Sequence, residues 1–246
     1  MKKAIISGSF GLIGKSVANY LLSNDIEVLC LGRKNLKESD IKNYLDKKVD
    51  YISLDMESIS ELPERIKKLN WEVGDDCIFY NFAWAGVDRL TDGNFKDQLK
   101  NAINSSLAVK TAKKIGCKKF INSGSIEENY SELALKKSLP YLSSQANYAL
   151  AKLAARDMCS MVAYLEKIDY VHTRLSAPLS PDLSKGGYIS KTLKKIINNE
   201  NYETPKNIQL YDIQVHPING KIYFLSEKYY GEKGPEEDGL WLMEKK

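Results

Sequence analysis

Short apolar runs alternate with amphipathic stretches along most of the chain, and their order predicts a regular succession of strands and helices. Ala4-Ile5-Ile6 reads as a first strand, followed by a glycine turn and a helix from about Gly11 to Ser23. A second strand runs from Ile26 to Leu31 and ends at Gly32-Arg33-Lys34; a polar helical stretch then leads to a third, Asp50 to Leu54. Pro63 suits the first turn of the next helix, which runs to about Leu69. Cys77 to Phe82 is nearly continuous in apolar character, as in a strand covered on both faces. A long helix over about 95–115, a strand at Lys119 to Asn122 opening into Ser123-Gly124-Ser125, a helix over about 145–165 and a strand at Tyr170 to Arg174 complete the series. This alternation predicts the α/β class: a Rossmann-type, doubly wound parallel sheet with helices on both faces. After Arg174 the pattern changes. Pro178, Pro181 and Gly186-Gly187 punctuate a loop, Ile189 to Ile197 reads as helical, and the tail from Ile208 shows no sustained period. The expected division is a first domain over 1–175 and a short C-terminal region over 176–246.

Composition narrows this picture without redirecting it. The net charge of +4 is mild, and the lysines are interleaved with acids along the chain. That pattern describes solvated helix faces rather than a binding surface for a nucleic acid polymer. Cys30, Cys77, Cys117 and Cys159 are far apart and each lies in apolar sequence, so buried free thiols are expected. With His172 and His216 as the only histidines, no metal site is expected. No apolar run reaches membrane-spanning length and the first residues lack a signal-peptide pattern, so a cytoplasmic protein without membrane contact is the expectation.

Gly8-Ser9-Phe10-Gly11-Leu12-Ile13-Gly14 lies between the first predicted strand and helix. Glycines are needed there for separate reasons: one makes the tight turn, one lets backbone approach a pyrophosphate, and one packs the helix on the strand. The free N–H groups of the helix start, with its dipole, attract phosphate charge. A plain strand-to-helix turn is the competing reading, but three glycines at a three-residue period in this setting favour a dinucleotide. At the end of the second strand, NAD-binding chains of this kind carry an acid for the ribose 2′-hydroxyl. Here Arg33 stands in that region, and a guanidinium suits a 2′-phosphate, so NADP is expected ahead of NAD. The alternative is that Arg33 points to solvent.

Tyr148 and Lys152 are spaced to share one helix face a turn apart. An ammonium beside a phenol favours its ionised form and makes it a usable proton donor and acceptor. The same spacing recurs at Tyr44/Lys48, Tyr202/Lys206 and Tyr229/Lys233, but only Tyr148/Lys152 lies in an apolar helix after a strand ending in serines. Ser125 is the expected third member, with Ser123 as its competitor.

The glycine loop with its GxxGxxG spacing, Asn81-Phe82-Ala83-Trp84-Ala85-Gly86, Lys118 to Ser125 and Asn147 to Arg156 together resemble the extended short-chain dehydrogenase/reductases of the NAD-dependent epimerase/dehydratase family. The resemblance covers residues 1–174, about 70% of the chain, and extends to Asn101 in the helix before the serine strand. It implies catalytic roles for Ser125, Tyr148 and Lys152. It implies a cofactor site at Gly8, Ser9, Phe10, Gly11, Leu12, Ile13, Gly14, Arg33, Asp55, Met56, Phe82, Ala83 and Trp84, with Tyr148 and Lys152. A nucleotide sugar is the implied substrate, and a homodimer through the helices at 95–115 and 145–165 the implied assembly. The expected reaction is reduction of a 4-keto deoxysugar nucleotide, with an NAD-dependent 4-epimerase as the alternative and a dinucleotide-binding regulatory protein as the alternative of another class. Departures fall in the substrate half. Leu179-Ser180-Pro181 stands for a usual Tyr-Gly-Pro, Glu127-Glu128 is one residue out of place for the Asp-Glu pair of 4,6-dehydratases, and the C-terminal part is short.

Overall fold

The computed structural model describes residues 3–36, 41, 49–86, 95–137, 146–176, 178–180, 182–184, 188–201, 210–215, 222–226 and 239–243. The chain divides into two compact units, 1–186 and 187–246.

The first unit is built on β1 (Lys3–Ser7), β2 (Glu27–Gly32), β3 (Asp50–Ser53), β4 (Ile78–Asn81), β5 (Lys119–Ser125) and β6 (Asp169–Leu175). They form one sheet in the order β3-β2-β1-β4-β5-β6, every pair parallel. The order reverses between β1 and β4, and in open parallel sheets the crevice at such a switch point is the ligand site. Helices α1 (Leu12–Ser23), α2 (Leu62–Leu69), α3 (Phe95–Lys114), α4 (Glu127–Lys137) and α5 (Ala146–Glu166) accompany the strands, with a 3-10 helix over Met56–Glu61. This is the doubly wound α/β architecture that the alternation predicts.

The strand register explains both the core and the site. Leu29, Ile5, Phe79, Phe120 and Tyr170 are register partners across five strands. Their side chains make an apolar row in which Phe79 stacks on Phe120 and Phe120 on Tyr170, ring centroids 5.2 and 6.4 Å apart. Ala4, Ile6, Val28 and Cys30, one residue out of phase, fill the core on the opposite face. Two residues further along the first face the row turns polar: Ser7, Asn81, Asn122 and His172. The sheet is thus apolar through its middle and polar at its C-terminal edge.

Local sequence sets several boundaries. Pro63 enters α2 at its first turn, Glu64 stands near that helix's start, and Lys67 and Lys68 near its end, each where the dipole favours it. Asn70 closes α2 in the left-handed conformation, its N–H returning to the carbonyls of Ile66 and Lys67. The four cysteines are buried free thiols. No helix among the described residues is long and apolar enough to cross a membrane.

The second unit differs from its sequence expectation. Helix α6 (Tyr188–Ile197) was expected, but β7 (Leu210–Val215), β8 (Ile222–Ser226) and β9 (Gly239–Met243) form an antiparallel sheet in the order β7-β8-β9 where no period was evident. Tyrosines, glycines and charges around these strands break the sequence period, although Asn219-Gly220 in this tail is a hairpin dipeptide. In the first unit, α4 and the 3-10 helix were not anticipated, and β5 continues through Ser125 rather than ending at Asn122. The polar stretch after Lys34, Pro181, Gly186-Gly187 and residues 202–209 fall largely or wholly outside the described residues.

Candidate functional site

The glycine loop shows why Gly8 and Gly14 carry no side chain. Gly8 has φ +67°, and a Cβ there would lie 2.8 Å from the Ala83 nitrogen, so both its conformation and its contact exclude a side chain. A Cβ on Gly14 would lie 2.2 Å from the Gly8 carbonyl oxygen, which is the close packing of helix on strand. Gly11 caps α1 with no side-chain hydrogen bond to the helix start. The first-turn N–H groups of α1 thus receive no side-chain cap from Gly11, the situation in which a helix end receives an anion.

A cleft of about 420 Å³ opens at this loop, along the C-terminal ends of β1, β2 and β4. Of the expected cofactor residues, Gly8, Gly11, Arg33, Asp55, Met56, Phe82, Ala83 and Trp84 line it. Ser9, Phe10, Leu12, Ile13 and Gly14 do not form its wall. Ser9 is fully buried and its hydroxyl donates to the Leu31 carbonyl, while Phe10 packs on Tyr51 with centroids 5.3 Å apart. These side chains fasten the loop to β2 and β3. Asp55 caps the 3-10 helix by accepting the Glu57 N–H, and Glu57 pairs with Lys100 from α3, so one wall of the cleft is tied down by charge. A glycine loop shaped by two forbidden side chains, an uncapped helix start and a cleft at the switch point fit a dinucleotide.

Helix α3 holds the far wall through a polar stripe that sequence reasoning largely missed. Asn101 accepts the Ala85 N–H at 2.7 Å and donates to the Ala85 carbonyl at 2.9 Å. Gln98 accepts the Trp84 indole N–H at 2.8 Å. Asn81 donates to Ser105 and to Asn122, at 3.1 and 2.9 Å, and accepts the Ser7 hydroxyl at 2.6 Å. Only Asn101 was legible in advance. Gln98 and Ser105 carried the signal of polar residues at i, i+3 and i+7 with Asn101 on a helix whose inner face must be buried.

Tyr148 and Lys152 project from α5 beside this wall. The Lys152 ammonium is almost fully buried and donates to the Ser123 carbonyl at 2.8 Å. It lies 3.7 Å from the centre of the Trp84 ring and 5.7 Å from that of Tyr148. Trp84 meets Tyr148 edge to face at 5.9 Å. Trp84 thus joins the cleft to the Tyr-Lys pair, which the cleft itself does not include. Ser123, the competitor to Ser125, offers Lys152 its backbone carbonyl.

Ser125 ends β5 at the turn into α4. Its hydroxyl oxygen accepts the Glu127 N–H at 3.2 Å, and its own N–H donates to Glu128 Oε1 at 2.8 Å. The Ser-x-x-Glu spacing at 125–128 is that of a capping box, with the glutamate reaching back to the Ser125 N–H and the serine oxygen taking the N–H of Glu127 in place of Glu128. Glu128 is fully buried and also meets His172 Nε2 at 3.1 Å and Arg174 Nε at 3.2 Å. Burial pulls its carboxyl upward, but the hydrogen bonds from His172 and Ser125 and the nearby charges outweigh that, leaving it below the ordinary value. The neighbouring Glu127 carboxyl is pushed up by burial.

The fold and this arrangement of loop, cleft and Tyr-Lys pair define a dinucleotide-binding protein of the extended short-chain dehydrogenase/reductase type. The sequence over residues 4–213 matches the NAD dependent epimerase/dehydratase family, and the chain belongs to that family of enzymes. Among solved structures it resembles a UDP-glucose 4-epimerase with UDP-glucose from Thermotoga maritima, at 17% identity over 85% of this chain and 67% of that one, TM-score 0.61. It also resembles the Bordetella bronchiseptica enzyme WbmG in complex with NAD, at 16% identity over 81% and 61%, TM-score 0.60. A third is the UDP-N-acetylglucosamine 4-epimerase of Methanobrevibacter ruminantium in complex with UDP-N-acetylmuramic acid, at 19% identity over 85% and 67%, TM-score 0.60. The chain spans about three fifths to two thirds of the length of these relatives.

Proposed function

We propose that this protein reduces a 4-keto sugar carried on a nucleoside diphosphate, with NADPH as cofactor. The observation that carries the cofactor choice is Arg33: it lines the cleft directly after β2, where a guanidinium suits a 2′-phosphate. When bound, the dinucleotide supplies the hydride. Tyr148 gives a proton to the carbonyl oxygen as charge develops there, and Ser125 donates its hydroxyl hydrogen to the same oxygen. With one lone pair engaged by the Glu127 N–H, the Ser125 hydroxyl keeps its hydrogen for that task. Lys152 holds the ribose hydroxyls and favours ionised Tyr148 electrostatically. Paired titrations of NADPH and NADH into the full chain test the reading. NADPH should bind at least about tenfold more tightly, an advantage lost in Arg33→Ala, as expected for about 1.4 kcal/mol from a charged contact. Equal binding of NADH would turn the assignment to the second reading, an NAD-dependent 4-epimerase, which the 4-epimerases among the similar structures favour.

We also propose that the working form is a homodimer. Phe95, Leu99, Ile103 and Leu107 form an exposed stripe at four-residue spacing on α3. Met158, Met161 and Leu165 are exposed on α5, which packs along α3. Contiguous apolar area of this kind marks an interface. Sedimentation of the full chain should give twice the chain mass; a monomer at micromolar concentration would contradict it.

A further inference from the structure

We infer that Glu128 is the positioning residue for Ser125, fixing the turn between β5 and α4 so that the serine hydroxyl faces the reacting oxygen. The inference rests on the reading of Ser125 given above and adds the group through which it is held.

Three observations support it. The first is burial. A carboxylate wholly removed from water is costly unless its oxygens are satisfied, and those of Glu128 are: Oε1 takes the Ser125 N–H and His172 Nε2, and Oε2 takes Arg174 Nε and His172 Nε2. An ordinary capping-box glutamate sits at the surface and serves only its own helix. This one is also fastened to β6, the neighbouring strand, through His172 and Arg174.

The second is the absence of a side chain at position 124. A Cβ on Gly124 would lie 2.4 Å from Glu128 Oε1, 2.2 Å from His172 Nε2 and 2.4 Å from the Thr173 carbonyl oxygen. No positive φ requires glycine there. The space that a side chain would fill is taken by the carboxylate and the imidazole, so β5 is cut back at the residue before Ser125 to admit them.

The third is the direction of the hydrogen bonds around Ser125. Its N–H is committed to Glu128 and its oxygen accepts from Glu127. Both contacts constrain the residue, one through the backbone and one through the side chain. The hydroxyl hydrogen is the donor these two contacts leave uncommitted, and it turns about an oxygen whose position they hold. Glu128 is fully buried, so it acts through Ser125 and not on the substrate itself.

Two measurements on the full chain test this. Amide hydrogen exchange, which needs no ligand, should show Ser125 strongly protected, with exchange at least about tenfold faster in Glu128→Gln, because an amide side chain has a single acceptor oxygen to divide between Ser125 and Arg174. Unchanged protection would overturn the inference. Turnover of a UDP-linked 4-keto sugar with NADPH gives the second readout. Glu128→Gln should lower kcat about tenfold or more with the KM for NADPH unchanged, and should lower it no further when added to Ser125→Ala. Equal losses in the two backgrounds would make Glu128 a structural residue only and overturn the inference. Full kcat in Ser125→Ala alone would remove the reading beneath it, a result that exchange at Ser125 does not mimic. Should Glu128→Gln fold poorly, Glu128→Asp keeps the charge but shortens the reach, and the same two readouts apply.

Discussion

The two halves of the sheet's C-terminal edge solve the problem of making a site in different ways. Around β1 and β2 the work is done by backbone. Gly8 and Gly14 are defined by the side chains they cannot carry, and the start of α1 offers bare N–H groups. Around β5 and β6 it is done by side chains: Glu128 joins Ser125, His172 and Arg174, and Lys152 is held on the Ser123 carbonyl. A backbone site recognises a ligand feature shared by many molecules, a phosphate pair. A side-chain site sets proton positions, which a backbone cannot move. Ser7, Asn81 and Asn122 form the hydrogen-bonded bridge between the two.

The comparison predicts that damage to the first half abolishes binding and damage to the second abolishes chemistry. The largest effect should come from Gly14→Ala, which places a methyl group against the Gly8 carbonyl where only backbone can yield. Dinucleotide binding should fall beyond detection by calorimetry, and binding within twofold of the parent would break the comparison. Next, Tyr148→Phe should lower turnover by about 10²–10⁴, the ordinary worth of general acid catalysis, while the dissociation constant of the dinucleotide stays the same. A parallel loss of binding would show that the halves are not separable.

The smallest effect concerns pH. Hydrogen bonding from Arg174, with further contributions from Arg156, against a smaller desolvation penalty, holds the Glu132 carboxyl at about 2, below the ordinary 4.5. A depressed carboxyl stabilises the fold above its unfolded value, and that stability is lost as pH falls through the window from 4.5 to 2. Thermal denaturation should show a steeper decline of Tm across this window in the parent than in Glu132→Gln. Identical slopes would locate the acid sensitivity elsewhere, with Glu128 the next group to test.

This division also explains what could be read from sequence. The backbone half is legible because glycine alone meets the demands at Gly8 and Gly14, which with Gly11 stand at a three-residue spacing. The strand and helix alternation of the first unit is legible because strands covered on both faces must be apolar throughout. Ser125, Tyr148 and Lys152 are singled out through the family resemblance, since the Tyr-Lys spacing alone recurs elsewhere in the chain. Glu128 and His172 were not found: they are 44 residues apart, and only the parallel pairing of β5 with β6 brings them together. Trp84 is expected at the cofactor and lines the cleft, but its contact with Lys152 depends on the packing of α5 and leaves no trace in local sequence. The antiparallel sheet of the second unit was missed because its strands are set among tyrosines, glycines and charged residues that break any sustained period.

Trp84 has one further consequence. Its ring faces the Lys152 ammonium, its edge meets Tyr148, and its N–H is held by Gln98. The optical properties of an indole depend on the charges and polar groups around it. The chain therefore carries a spectroscopic reporter in the wall of its own cleft, placed between the groups that would bind and the groups that would react. A Trp84→Phe variant identifies its share of the emission against that of Trp71 and Trp241, so the binding step can be followed in the unlabelled protein separately from turnover.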